Sequence, residues 1–241
     1  MPRRPAPAAS GGVALVLLAA GQGTRVGHDT NKVFLPLAGR RVLTWSLDST
    51  RDLGDLRRTV VVLQDDDREH ADVVLRREAR GRRVQLVTGG DTRHASELQA
   101  LRHLAPEIRD GSLDVVVIHD AARPLARPSI FTEVIDSARL LGGALPVLDQ
   151  GGLVFADGDA LSSRLVTVQT PQAFRAVPLL EAYERAAEVG FVGSDTAACI
   201  ERFGDLRVQG VPGDERNIKI TFPEDLFLAE RLLARSHWRL E

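Results

Sequence analysis

The chain has 241 residues, 44% hydrophobic and 27% charged, the composition of an ordinary globular protein with enough apolar material for a sizeable core. Lys and Arg number 31 against 33 Asp and Glu, a formal charge of -2, so bulk charge draws the protein neither to nucleic acid nor to an anionic membrane, and any affinity for phosphate must be local. A single cysteine, Cys199, excludes an internal disulfide framework and makes a reducing cytoplasm the simplest location. In chain order, residues 1–12 (MPRRPAPAASGG) form an expected flexible tail. The arginines followed by an apolar run over 13–20 imitate a secretory signal; the run is short, no small-x-small cleavage site follows, and the glycines after it fit a loop behind a buried strand. No apolar run approaches the roughly 20 residues that span a bilayer. Short apolar runs then alternate with amphipathic segments. They predict strands at 13–18, 59–63, 84–88, 115–119, 143–147 and 207–211, and helices near 42–49, 68–78, 92–104, 129–141, 177–188, 196–203 and 224–235. Such alternation predicts an α/β fold of parallel strands and crossover helices, with the ligand beyond the carboxyl ends of the strands. The stretch 149–163, rich in Gly and Asp, breaks the alternation and is expected to leave the main sheet.

The loops leaving the carboxyl ends of the strands should therefore carry the function. After the first strand come Leu18-Ala19-Ala20-Gly21-Gln22-Gly23-Thr24-Arg25-Val26-Gly27 and then Lys32. Glycines let backbone N–H groups turn toward an anion, and Arg25 and Lys32 add full charges, the makings of a polyphosphate cradle. A plain strand-to-helix turn is the bland alternative. The dinucleotide fingerprint fits poorly because Val26 takes its third glycine position, and no Gly-Lys-Ser/Thr of a P-loop occurs. Lys32 and Lys219 are the only lysines among the 31 basic residues, and the only asparagines, Asn31 and Asn217, stand near them. A lysine surviving among arginines marks either chance or a place that needs a compact point charge.

The fourth strand ends in His119-Asp120-Ala121-Ala122-Arg123-Pro124. Asp120, at the mouth of a parallel sheet and opposite a cationic loop, suits Mg²⁺ on a nucleotide phosphate. His119 is either a general base or a satisfied structural histidine, and Arg123 either pairs with a carboxylate or meets a ligand. Gly89-Gly90-Asp91-Thr92-Arg93-His94-Ala95-Ser96 comes after the third strand; Asp91 and Ser96 can read a base edge, or Asp91 or Thr92 merely caps a helix. In Asn217-Ile218-Lys219-Ile220, alternation puts Asn217 and Lys219 on one face, bringing the second lysine toward the first.

Together LAAGQGTR with its following lysine, GGDTRHAS, HDAARP, QTPQAF at 169–174 and NIKITFPEDL resemble the 2-C-methyl-erythritol 4-phosphate cytidylyltransferases, and also the related ribitol 5-phosphate cytidylyltransferases. The resemblance implies a Rossmann-like nucleotidyltransferase fold, a mostly parallel sheet with helices on both faces, as a single domain over 13–241 with an arm at about 149–168. It implies CTP and a small polyol phosphate as substrates, Mg²⁺ as cofactor and a homodimer. Carried over residue by residue, Ala19, Ala20, Gly21, Gly23, Gly90, Asp91 and Ser96 would bind the nucleotide, and Arg25, Lys32 and Lys219 would meet the phosphates and transition state. Asp120 would serve metal and acceptor, with Arg123 and Arg164 on the acceptor. The chain departs from the family pattern at Gln150, where a threonine is expected, at Ser162, where a partner-chain arginine is expected and Arg164 is the nearest replacement, and at Ser194-Asp195-Thr196, which replaces Thr-Asp-Asp/Glu. These departures leave the acceptor open between methylerythritol phosphate and another polyol or sugar phosphate. A nucleotide-binding protein without catalysis competes with both readings. The charge set of Arg25, Lys32, Asp120 and Lys219 favours an enzyme, because transition-state charge is of little use to a mere binder.

Overall fold

The structure is a computed structural model that describes residues 11–21, 31–150, 165–193 and 195–235. Strands β1 (Gly12–Leu18) and β6 (Leu113–Asp120) and the second half of β4 (Leu56–Leu63) are largely aliphatic and buried, while the first half of β4 carries the exposed Arg57 and Arg58. That is the pattern of strands covered on both faces. β4, β1 and β6 pair in parallel, and β5 (Gln85–Thr88) adds to β4 in parallel. Successive side chains go to opposite cores. Val13, Leu15 and Leu17 join Val115 and Val117 beneath α1 (Val42–Asp48), α2 (Arg68–Glu78) and α4 (Pro128–Leu141). Ala14 and Val16 join Val116 and Ile118 beneath α3 (Arg93–Arg109), α5 (Ala176–Glu188) and α6 (Thr196–Phe203).

The other half of the sheet is mixed. β9 (Gln172–Arg175) runs antiparallel between β6 and β7 (Gly142–Asp149), and β10 (Arg207–Pro212) closes the edge parallel to β7, for an order β10-β7-β9-β6-β1-β4-β5. β2 (Pro36–Leu37) and β3 (Arg40–Arg41) form a separate small hairpin, turned by Ala38 and Gly39 at positive φ. Helix α7 (Pro223–Arg235) buries Ala229 and Leu233 in a third cluster with Leu37, Trp45, Leu125 and Ile220. The six strands and seven helices expected from periodicity are all present; α3 runs on through Pro106 because Leu104, Ala105 and Ile108 remain buried there.

The expected arm begins as a hairpin. β8 (Val166–Val168) pairs antiparallel with the end of β7, and the Gln150 N–H donates to the Leu165 carbonyl at 2.9 Å. Residues 151–164 of the arm and residues 1–10 of the expected tail lie outside the described residues. The carboxyl ends of β1, β4, β5 and β6 lie side by side, and the loops leaving them define one cavity.

Candidate active site

The cavity measures about 460 Å³ and is lined by the loop after β1 (Leu18 to Gly21), Gln64 after β4, Gly90 to Arg93 and Ser96 after β5, Asp120 and Ala122 around the end of β6, and Asn31, Lys32, Val33 and Lys219. Each strand-end loop is pinned to the next strand. The Ala19 N–H donates to the Val62 carbonyl, Ala121 to Leu18 and Gly89 to Leu63. Gln64 Nε2 bridges the loops after β1 and β5 by donating to the Ala20 carbonyl at 3.1 Å and the Gly90 carbonyl at 3.4 Å. At Gly90 a Cβ would lie 2.5 Å from the Ala95 Cβ, and at Gly89 one would lie 2.8 Å from the Ala20 Cβ. The two glycines thus let this loop close against the helix and against the alanines after β1. The Ser96 hydroxyl completes the closure, accepting from the Gly90 N–H at 3.1 Å and donating to the Gly90 carbonyl at 3.3 Å. Thr92 is the helix cap, its hydroxyl accepting from the Ala95 N–H, and Asp91 is exposed at the cavity.

Both lysines line the cavity, and each is set by an asparagine. Asn31 Nδ2 donates to the Ala19 carbonyl at 2.6 Å and to Asp67 at 2.8 Å, while its Oδ1 accepts from the Val33 N–H and caps the short 3₁₀ turn Lys32–Phe34. Asn217 is fully buried, its Nδ2 donating to the Thr170 carbonyl at 2.9 Å. The Ile220 N–H donates to the Ala122 carbonyl, so the strip carrying Lys219 is fastened to the loop after β6. Lys219 Nζ donates to Asp120 Oδ2 at 2.7 Å.

Asp120 is the centre of charge. Its Oδ1 lies 3.5 Å from Arg93 Nη2. Burial pushes the Asp120 carboxyl up, but Lys219, Arg93 and Arg123 together outweigh it and hold the group well below the usual carboxylate range. It is therefore a carboxylate at any physiological pH. Arg123 does not line the cavity; its Nη1 donates to the Asn217 carbonyl at 2.6 Å and braces the segment that carries Lys219. His119 is fully buried and satisfied. The Asp120 N–H donates to Thr170 Oγ1 and the Thr170 hydroxyl lies 3.0 Å from His119 Nδ1, which leaves Nε2–H to donate to the Arg123 carbonyl at 3.2 Å. Burial drops its pKa from 6.5 to about 4, so it is neutral and outside the cavity, the structural member of the two alternatives.

Of the residues singled out in sequence, Ala19, Ala20, Gly21, Lys32, Gly90, Asp91, Ser96, Asp120 and Lys219 come together here. Gly23, Arg25 and Arg164 lie outside the described residues. Gln64 and Arg93 line the site without having been expected there. Arg93 sits inside a quoted motif but, in a chain with so many arginines, nothing marks it; Gln64 stands just after a strand and carries no motif.

The family model described as IspD, 2-C-methyl-D-erythritol 4-phosphate cytidylyltransferase, matches residues 13–235. The chain is 35% identical over 225 residues to the 2-C-methyl-D-erythritol 4-phosphate cytidylyltransferase of Geobacillus kaustophilus, covering 91% of this chain and 96% of that one. It is 39% identical over 229 residues to the enzyme of that name from Cereibacter sphaeroides strain KD131, covering 92% and 96%. Among solved structures, 2-C-methyl-D-erythritol 4-phosphate cytidylyltransferase of Thermus thermophilus superposes with a TM-score of 0.70 at 30% identity, over 92% of this chain and 99% of that one. The 4-diphosphocytidyl-2C-methyl-D-erythritol synthase of Anaerococcus prevotii gives a TM-score of 0.79 at 26% identity, over 94% and 97%.

Proposed function

The chain belongs to the 2-C-methyl-D-erythritol 4-phosphate cytidylyltransferase family, and on that premise we propose that it transfers CMP from CTP to 2-C-methyl-D-erythritol 4-phosphate, releasing pyrophosphate. An oxygen of the acceptor's phosphate attacks the α-phosphorus of CTP; the new P–O bond forms as the bond to the β-phosphate bridging oxygen breaks, and that oxygen leaves on pyrophosphate. The nucleophile is already an oxyanion, so no strong base is required, and what the site must supply is position and positive charge. The observation that carries the reading is the cavity's chemical inventory: Lys32, Arg93 and Lys219 gather at the strand ends around one buried carboxylate, and no histidine is among the described lining residues. Its volume falls within the roughly 300–1,000 Å³ usual for small-molecule sites.

Within this reading Lys32 and Lys219, with Arg25 from the first loop, neutralise the triphosphate and the leaving pyrophosphate, while the Ala19–Ala20 and Gly90–Asp91 loops receive the cytidine. Mg²⁺ fits the donor set. The described residues contain no cluster of three His, Cys, Asp or Glu that would hold a metal unaided, but one ionised carboxylate shared with nucleotide phosphates is the usual holding set for Mg²⁺, and Asp120 supplies it. When bound, the ion would lower the negative charge on the phosphates. Family resemblance supports a homodimer, and the lone cysteine supports a cytoplasmic location; among the described residues no helix is long and apolar enough to cross a membrane. Pyrophosphate release with purified protein tests the assignment. CTP with methylerythritol phosphate and Mg²⁺ is expected to give one pyrophosphate per CTP consumed, ATP, GTP and UTP far less, and excess EDTA none. No release from CTP under any of these conditions would sink the proposal.

A further inference from the structure

Behind the cavity lies a second buried carboxylate that the reaction as described leaves unused. Glu97, one helical turn after Arg93 on α3, is fully buried. Its Oε1 accepts from Arg93 Nη1 at 2.5 Å and from the Thr196 hydroxyl at 2.6 Å, and its Oε2 accepts from the Tyr183 hydroxyl at 2.6 Å. Burial pushes the Glu97 carboxyl up, and the Arg93 guanidinium with the two hydroxyls opposes it; Arg93 can only donate and both hydroxyls can turn to donate, so the partners suit the ionised carboxylate that pairs with Arg93. The groups facing it come from α3 (Arg93), α5 (Tyr183) and α6 (Thr196 and Cys199), with Asp120 beyond Arg93. Of these network members only Arg93 and Asp120 line the cavity, and Glu97, Tyr183 and Thr196 do not.

Arg93 is held between two anions. It is close to Glu97 and 3.5 Å from Asp120, whereas an unrestrained guanidinium–carboxylate pair closes to about 2.7–2.9 Å. Glu97 therefore draws the guanidinium back from Asp120, whose short partner is Lys219 at 2.7 Å. We infer that Glu97 is a positioning residue for cytidylyl transfer: it restrains Arg93 so that the cation faces the cavity without closing on Asp120, which stays available to the acceptor. This rests on the function proposed above. Without the Glu97 charge, the nearest anion left to Arg93 is Asp120, and the two would pair at the expense of the ligand.

The test compares Glu97→Gln, Tyr183→Phe and the double variant Glu97→Val/Thr196→Glu with the parent enzyme. The double variant returns a carboxylate to the same guanidinium from the other side, since Thr196 Oγ1 lies 3.4 Å from Arg93 Nη1. With CTP saturating, Glu97→Gln is expected to lose about tenfold or more in kcat/KM for the acceptor, the cost of misplacing a group at the site. Its calorimetric Kd for CTP measured without Mg²⁺ should stay within about threefold, because the displaced contact is made to Asp120, which meets the nucleotide only through the metal, rather than to the nucleotide loops. Tyr183→Phe removes a hydrogen bond but no charge, so its melting temperature falls while kcat/KM stays within about threefold of the parent. The double variant recovers most of the Glu97→Gln loss. A folded Glu97→Gln with parental kinetics overturns the inference, as does a folded double variant with no recovery. If Glu97→Gln does not fold, Glu97→Asp, which keeps the charge but withdraws it by one methylene, replaces it with the same two outcomes. An inactive parent would indict the proposed reaction and not the network.

Discussion

Two asparagines and two lysines account for much of the site. Asn31 and Asn217 spend their amides on backbone carbonyls, Ala19 and Thr170 respectively, and so fix the short segments from which Lys32 and Lys219 reach the cavity. A compact ammonium with rotatable donors can follow charge as it moves onto the leaving pyrophosphate, which a planar guanidinium does less well. Lys32→Ala and Lys219→Ala are each expected to lower turnover by about 10²-fold or more while weakening CTP binding far less, since the charge acts mainly in the transition state. Steady-state kinetics beside calorimetric CTP affinity checks this; parental turnover in either variant removes its lysine from the mechanism. His119 makes a different prediction. Its folded pKa of about 4 lies below its ordinary 6.5, so the unfolded chain binds the proton more tightly, and stability falls as pH drops from about 6.5 toward 4. His94, also buried and also lowered by burial and by Arg93, contributes with the same sign. The melting temperature should therefore rise with pH between about 5 and 6.5, less steeply in His119→Asn, and an unchanged slope in that variant would contradict the assignment. Thr196, where the family pattern has an acid, is explained by the same buried chemistry: Glu97 supplies the carboxylate from α3 and the Thr196 hydroxyl donates to it.

Among the elements, the loop after β5 does more than cap a helix. Gly90→Ala would place a methyl 2.5 Å from the Ala95 Cβ, and neither group has a rotamer that relieves the clash, so the loop must open away from Ser96. We expect KM for CTP to rise by about tenfold or more with little change in melting temperature, because the exposed loop yields before the core does. Kinetics and a thermal melt distinguish this from a purely structural glycine, which would shift the melt and leave KM alone. The long elements were legible because β1, β4 and β6 carry continuous apolar runs and the helices carry a clear apolar face. What escaped the sequence is short or non-local. β9 has only four residues and buries Gln172 beside Ala173 and Phe174, so no period announces it, yet it lies between β6 and β7 and makes the sheet mixed. β8, β2 and β3 are shorter still. Arg93 and Gln64 were invisible as site residues because their placement depends on partners 27 and 44 positions away, Asp120 and Ala20.

At the scale of the whole molecule, a near-neutral chain builds a concentrated cationic site. Its formal charge is -2, but Lys32, Arg93 and Lys219 converge on one cavity at the open end of the parallel strands, where a sheet of this topology places its ligand. The two cores on the sheet's faces hold the strand ends in register, and the strand ends hold the charges. In the proposed reaction the departures at Gln150 and Ser162 concern the acceptor. Gln150 stands at the base of the arm, its amide donating to Thr167 across the hairpin at 3.3 Å. Arg164, two positions beyond Ser162 in the sequence, is the nearest replacement cation, and Arg164→Ala is expected to lower kcat/KM for the acceptor by about one to two decades, the worth of a charge-assisted contact; unchanged acceptor kinetics would show that the departures are neutral. The reaction proposed for the cavity joins CMP to methylerythritol phosphate. It is tested most directly by ³¹P NMR of the protein with CTP, Mg²⁺ and equimolar 2-C-methyl-D-erythritol 4-phosphate and ribitol 5-phosphate. The paired resonances of the cytidine diphosphate ester of methylerythritol are expected to grow in step with pyrophosphate while ribitol phosphate persists. Consumption of ribitol phosphate in preference, or CTP left intact beside both acceptors, would contradict it.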